Sequence, residues 1–146
     1  MVWYTLVGMK DTMMRVMAPV AALLAVALLG GCRTKPGALV DPETAYKMAQ
    51  RGDALFLDVR SADEYEEAHI ADAISLPFYE ITQAELTRIA GMGRTVVTYC
   101  SCPAEESSIA AASEFIRAGF DNVVVLKGGI QDWAVDGYPV RAGTRP

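Results

Sequence analysis

Between Leu39 and Val140 the chain alternates short apolar runs with amphipathic stretches. Ala54–Val59 (ALFLDV), Thr95–Cys100 (TVVTYC) and Asn122–Leu126 (NVVVL) are apolar at most positions and of strand length, the pattern of strands buried on both faces of a sheet. Leu39-Val40 and Ala73–Pro77 (AISLP) are shorter, the second stopped by its proline. Helical signals fill the gaps. Asp41-Pro42 is an N-cap followed by proline at the first helical position, predicting a helix to Gln50, and Gly52-Asp53 is a break. Ser61 caps a stretch with acids in its first turn. The stretch from Tyr79 to Gly91 is helical in pattern. In Ser107–Phe120 the helical period puts Ile109, Ala112 and Ile116 on one face, with Gly119 as the C-cap. Strands separated by helices predict an α/β fold: a single domain with a central parallel sheet of about five strands, flanked by helices on both faces. Ligands in such folds sit at the carboxyl ends of the strands. Cys100 stands at one of those ends.

Composition narrows the classes. The 146 residues fit one domain, the net charge is −5 and 52% of residues are hydrophobic. No basic run exists, which argues against nucleic-acid binding. Part of the apolarity lies outside the strand–helix pattern, in Val16 to Cys32. Lys10 and Arg15 precede that segment, and its uncharged run from Val16 to Leu29 is shorter than the roughly 20 residues that cross a bilayer. It reads as an export signal over residues 1–31. An ordinary signal peptide or an uncleaved anchor is the plainer reading. Asp11 and the aromatic stretch near the start are unusual ahead of such a segment, so Met13 or Met14 makes the better beginning.

Leu29–Cys32 (LGGC) resembles the lipobox of bacterial lipoproteins. The resemblance implies that Cys32 is lipidated and becomes the mature N-terminus, which anchors the protein to a membrane in the bacterial cell envelope, facing the periplasm. Arg33 after the cysteine favours the outer membrane. Residues 32–37 then form a lipidated tether, within a tether-like stretch that runs on to Val40, and residues 38–146 form the domain. With Cys32 lipidated, Cys100 and Cys102 are the remaining thiols. They stand in an oxidising compartment, where an unpaired cysteine needs a reason.

A longer set of motifs carries a second resemblance. Asp58-Val59-Arg60, Glu64-Tyr65, His69-Ile70, Ala73-Ile74 with Pro77, Gly119-Phe120 with Asn122-Val123, Gly128-Gly129 with Trp133, and Gly137 with Pro139-Val140 follow in order. Together they resemble a rhodanese domain over about residues 38 to 141. The resemblance implies that Cys100 is the nucleophile of a sulfurtransferase. Sulfane sulfur moves from a small donor to a Cys100 persulfide, then to a thiol or protein acceptor, with no cofactor and no metal. The placement has its own rationale. A thiol between a strand end and a helix N-terminus faces converging N–H groups, which can lower its pKa from about 8.5 towards neutrality or below.

The loop departs from the common pattern. It reads Cys100-Ser101-Cys102-Pro103-Ala104-Glu105-Glu106-Ser107, contains no arginine, and resembles a variant Cys-x-Cys-Pro-x-Glu form. Either the loop is longer than usual or its helix begins earlier, with Pro103 as first helical residue. Glu105 and Glu106 stand where cations would hold an anionic donor. They stabilise the helix N-terminus from its outer side, or Glu105 orients the loop by accepting backbone N–H groups. Three readings of Cys102 stand open: a small residue lining the loop, a resolving thiol that expels persulfide sulfur through a transient disulfide, and a metal ligand. The last is the poorest, since structural zinc takes four ligands and the one histidine, His69, belongs to another loop. His69 reads as a local backbone partner. Asp58 and Arg60 form a structural ion pair with loop backbone, or Arg60 faces the substrate. Trp133 is core, Gly128-Gly129 a tight turn, and Lys127 a surface lysine within reach of the site mouth.

Two functions compete: sulfur transfer through Cys100, and a rhodanese-fold module that binds a partner protein or senses thiol redox state without turnover. Related phosphatases share the fold, but they hold phosphate with an arginine at the far end of the loop. Glu105 and Glu106 stand against that chemistry.

Overall fold

A computed structural model describes residues 35–144. The proposed signal segment and Cys32 lie outside the described residues.

Five parallel strands make the central sheet, in the order β1-β6-β5-β2-β4. These are β1 (Leu39–Val40), β2 (Ala54–Asp58), β4 (Ile74–Ser75), β5 (Thr95–Tyr99) and β6 (Val123–Leu126). A separate antiparallel pair joins β3 (His69–Ile70) to β7 (Val140–Arg141). The second half of the tether-like stretch is therefore part of the domain. Leu39-Val40 pairs with β6, and Gly37 N–H donates to the Val123 carbonyl at 2.7 Å.

Pleat alternation in β2, β5 and β6 feeds two cores. On one face Phe56, Val97, Tyr99, Val124 and Leu126 pack with Tyr65, Ile130 and Trp133. On the other, Leu55, Leu57, Val96, Val123 and Val125 pack with Leu86, Ile89, Ala111, Ala112 and Phe115. Each such side chain contributes about 1.5–3 kcal/mol when fully buried. The helices that supply the covers are α1 (Pro42–Gln50), α2 (Ala62–Glu67), α3 (Gln83–Ala90), α4 (Glu106–Arg117) and α5 (Gly129–Val135). Asp41 caps α1 through Thr44 N–H, and Ser61 with Glu64 forms a reciprocal capping box on α2.

Three expectations change. The helical stretch from Tyr79 is split: Phe78–Glu80 is a 3-10 turn, and Thr82 caps a separate helix by accepting from Glu85 N–H. In α4 the buried face is Ser108, Ala111, Ala112 and Phe115, whereas Ile109 and Ile116 are largely exposed. The small side chains let the helix lie close to the sheet, and Phe115 fills the core that the isoleucines were expected to fill. Gly119 is one residue beyond the C-cap, at φ +87°; its N–H donates to the Ile116 carbonyl and Phe120 N–H to Phe115, closing the helix end.

Candidate active site

The loop after β5 gathers the chemistry. Cys100 leaves the strand with 1% of its surface exposed, inside the second core. Pro103 does not start the helix. Residues 102–105 form a turn closed by Glu105 N–H donating to the Cys102 carbonyl at 3.2 Å, with Pro103 at the position where its fixed φ is favoured. Glu105 then adopts a left-handed conformation (φ 51°) before α4 opens at Glu106. The longer-loop alternative therefore holds.

The loop is tied down on several sides. Glu105 Oε1 accepts the Gly128 N–H at 2.7 Å, so Glu105 is the loop-orienting carboxylate and makes no side-chain cap of α4. Glu106 is exposed in the first turn of α4, the position of a dipole partner. Ser101 Oγ donates to Glu64 Oε1 at 2.9 Å, and Gln131 Nε2 donates to the Ser101 carbonyl at 3.1 Å. Ile130 N–H donates to the Cys100 carbonyl at 3.1 Å. Gly129 sits so close beneath it that a Cβ there would fall 2.1 Å from that oxygen.

Cys100 and Cys102 lie with their sulfurs 2.9 Å apart, both as free thiols. The Cys100 sulfur also receives the Cys102 N–H at 3.4 Å and lies 3.6 Å from Ser108 Oγ, while Cys102 Sγ lies 3.5 Å from Ser107 Oγ. The acidity differs from the sequence expectation. Burial pushes the Cys100 thiol up, and its hydrogen bond with Cys102 adds to this, against the opposing pull of Ser108. Burial also acts on Cys102, but the hydrogen bonds from Cys100 and then Ser107 outweigh it and hold Cys102 below the ordinary thiol range. Of the two thiols the outer one, Cys102, is thus the more acidic, because the Cys100 hydrogen bond favours its ionised form and it is the less desolvated.

An open pocket of about 450 Å³ lies at the carboxyl ends of β5 and β6. Cys102, Pro103, Glu105, Lys127, Gln131 and Asp132 are among the residues that line it. Lys127 is its cation, set against the carboxylates of Glu105 and Asp132. Arg60 is not a lining residue. Its guanidinium donates to both Asp58 oxygens (2.6 and 3.0 Å) and to the Ala68 carbonyl (2.6 Å), which is the structural reading. Asp58 is fully buried and also accepts the Arg60 N–H at 3.0 Å. His69 Nδ1 lies 2.8 Å from the Tyr65 carbonyl and its ring stacks on Tyr65, a local role as expected. Trp133 is core and donates to the Pro139 carbonyl at 3.0 Å.

Sequence reasoning missed three residues. Glu64 was legible as a helix-capping acid, but its second bond, to Ser101, bridges distant segments. Ser108 lies on the buried face of α4, where its hydroxyl donates to the Glu105 carbonyl at 2.9 Å. Gln131 carried no signal at all.

Residues 41–136 match the rhodanese-like domain family. The chain belongs to that family. The rhodanese domain is 32% identical over 106 residues to a sulfurtransferase of Allochromatium vinosum, covering 70% of this chain and 94% of the relative. It is 32% identical over 89 residues to a thiosulfate sulfurtransferase, GlpE, of Coxiella burnetii, covering 61% of this chain and 79% of that protein. Against an uncharacterized Synechocystis protein, 29% identical, the match covers 73% of this chain but spans only 57% of the relative's length. The crystal structure of the BH2092 protein from Bacillus halodurans has the same fold, with a TM-score of 0.61 at 27% identity over 86% of each chain.

Proposed function

We propose that this protein is an envelope sulfurtransferase that moves sulfane sulfur through a persulfide on Cys100. One observation carries the reading: Cys100 directly follows β5 with the N–H of Cys102 directed at its sulfur, beside a pocket at the strand ends. Such a cradle stabilises the negative charge of a persulfide. The names of the Allochromatium and Coxiella relatives support the reaction class. Ser101 to Ser107 form the substrate loop, with Asp58 and Arg60 as a supporting ion pair against Tyr99 of β5. A small sulfur donor loads Cys100, and a small thiol or a protein thiol takes the sulfur away. Lipid on Cys32 holds the domain at the membrane facing the periplasm, with the outer membrane favoured by Arg33.

The test is intact mass after anaerobic incubation of the reduced protein with glutathione persulfide. Gain of one sulfur atom, absent in Cys100→Ser, supports transfer. No sulfur uptake by any variant overturns it. Location is tested by Cys32→Ser, which should release the domain from membranes; a variant that stays bound with its first 31 residues uncleaved makes Val16–Leu29 an anchor.

A second reading, a non-turnover module for protein binding or thiol sensing, is favoured by the near-complete burial of Cys100. The same mass measurement separates the two.

A further inference from the structure

The loop carries one thiol more than sulfur loading needs. Cys100 is buried and does not line the pocket; Cys102 does, and its sulfur lies 2.9 Å from that of Cys100. Cys102 is held there from both sides. Ser101 before it is bound by Glu64 and Gln131. The turn after it is closed by Glu105, itself bound to Gly128. Of the two sulfurs, that of Cys102 borders the pocket and that of Cys100 lies buried beside it.

Resting on the persulfide reading above, we propose that Cys102 is the resolving thiol of a two-cysteine site, discharging the Cys100 persulfide as hydrosulfide by closing a Cys100–Cys102 disulfide.

The steps balance without an oxidant. The loading step starts from the singly ionised pair, with Cys102, the more acidic thiol, as the base. As Cys100 attacks the terminal sulfur of a donor R–S–S⁻, Cys102 takes the Cys100 proton. The donor's S–S bond breaks and RS⁻ leaves. Cys102, now a neutral thiol, stands beside Cys100–S–S⁻. It gives its proton to the outer sulfur and attacks the inner one. A new S–S bond joins Cys102 to Cys100, the old S–S bond breaks, and its electron pair leaves with the outer sulfur as HS⁻. One negative charge is present before and after. Cys102 is oxidised and the departing sulfur is reduced. A dithiol reductant then reopens the ring and restores both thiols.

Ring size suits such a turnover. Cysteines separated by one residue meet disulfide geometry only with strain, and strained disulfides are the easily reduced, catalytic ones. The same strain that disfavours a permanent structural bridge favours a transient one. Ser107 and Ser108 complete the arrangement, each with its hydroxyl near one of the two sulfurs.

The test uses the reduced full chain, wild type and the variants Cys102→Ser, Cys102→Ala and Cys100→Ser, each with a wild-type circular dichroism spectrum. Each is loaded anaerobically with glutathione persulfide, desalted and followed by intact mass and hydrosulfide assay with no reductant added. Wild type should lose two hydrogens, yield a Cys100–Cys102 cross-linked peptide and release one equivalent of HS⁻. The two Cys102 variants should keep one extra sulfur on Cys100 and release HS⁻ at least about tenfold more slowly, having no adjacent thiol to attack the S–S bond. A stable extra sulfur in wild type, or equal release from the Cys102 variants, overturns the resolving role and leaves the persulfide reading standing. Failure of wild type and Cys102→Ser alike to take up sulfur overturns the persulfide reading and this proposal with it.

Discussion

The Glu105 carboxylate accepts the Gly128 N–H at 2.7 Å, tying the loop after β5 to the turn after β6. A residue that stands where an anion-binding loop would want a cation is thus occupied in holding the loop's shape. Its negative charge still lines the pocket, with that of Asp132 and against Lys127.

This arrangement sets donor preference. At an effective dielectric of about 20, like charges about 6 Å apart repel by roughly 3 kcal/mol, and solvent in the open pocket lowers that figure. Thiosulfate, a dianion, should therefore be a poorer donor than glutathione persulfide. Glu105→Gln keeps an oxygen for the Gly128 N–H and removes the charge. It should raise kcat/KM for thiosulfate by about tenfold, the equivalent of 1.4 kcal/mol. Glu105→Ala should lower activity with every donor, since Gly128 loses its partner. Glu106→Gln, on the exposed side, should change neither. Equal effects of the two Gln variants on thiosulfate kinetics would count against this assignment.

Gly129 should tolerate no side chain. Its φ is +55°, and a Cβ would stand 2.1 Å from the Cys100 carbonyl oxygen. Backbone must shift to relieve that contact, and it is the backbone that carries the reactive cysteine. Gly129→Ala should cost roughly 2 kcal/mol or more in urea unfolding and abolish sulfur uptake at Cys100. Wild-type stability would show that the turn opens freely.

The Asp58–Arg60 pair is structural, with side chains 0% and 8% exposed. Arg60 also lies over the Tyr99 ring at 5.7 Å, and burial pushes the Tyr99 hydroxyl well up, with Asp58 beside it adding to the effect. Asp58→Ala leaves a buried guanidinium unpaired and should destabilise the domain by about 3–5 kcal/mol. Arg60→Met, which removes the buried charge but strands Asp58, should cost a similar amount. Urea midpoints at constant m-value measure both. If Arg60→Met instead keeps full stability and loses only thiosulfate binding, Arg60 faces the substrate.

Thiol acidity gives a pH signature. Cys102 is held below the ordinary thiol value chiefly by Cys100, whereas Cys100 is pushed up chiefly by burial. Iodoacetamide should therefore modify Cys102 first, with a rate midpoint below that of an ordinary thiol. In Cys100→Ala that midpoint should move up, because the hydrogen bond stabilising the Cys102 thiolate is gone. Rates fitted against pH for the two proteins, with peptide mapping of the labelled site, check both parts; first labelling at Cys100 would reverse the assignment.

Periodicity alone determined the α/β class, the order of elements and which strands run through the middle. Those features follow from local propensity and from apolar runs that only a doubly covered sheet can bury. Motif order was enough to place Cys100 at a strand end, and the Asp41 and Ser61 caps were legible because a cap is satisfied within three residues of itself. What depended on contacts between distant segments was not legible. The buried face of α4 was misassigned because helical period marks candidate faces, and close approach to the sheet selected the one bearing alanine, serine and Phe115. Glu105 could have served the helix or the loop; Gly128, brought beside it by the neighbouring strand, decided the matter. The thiol pair is the sharpest case. Spacing put two cysteines one residue apart, but the turn at Pro103 and the bonds to Glu64, Gln131 and Gly128 press their sulfurs together. Burial is a property of the whole fold, so only the tertiary structure decided which of the two is the more acidic.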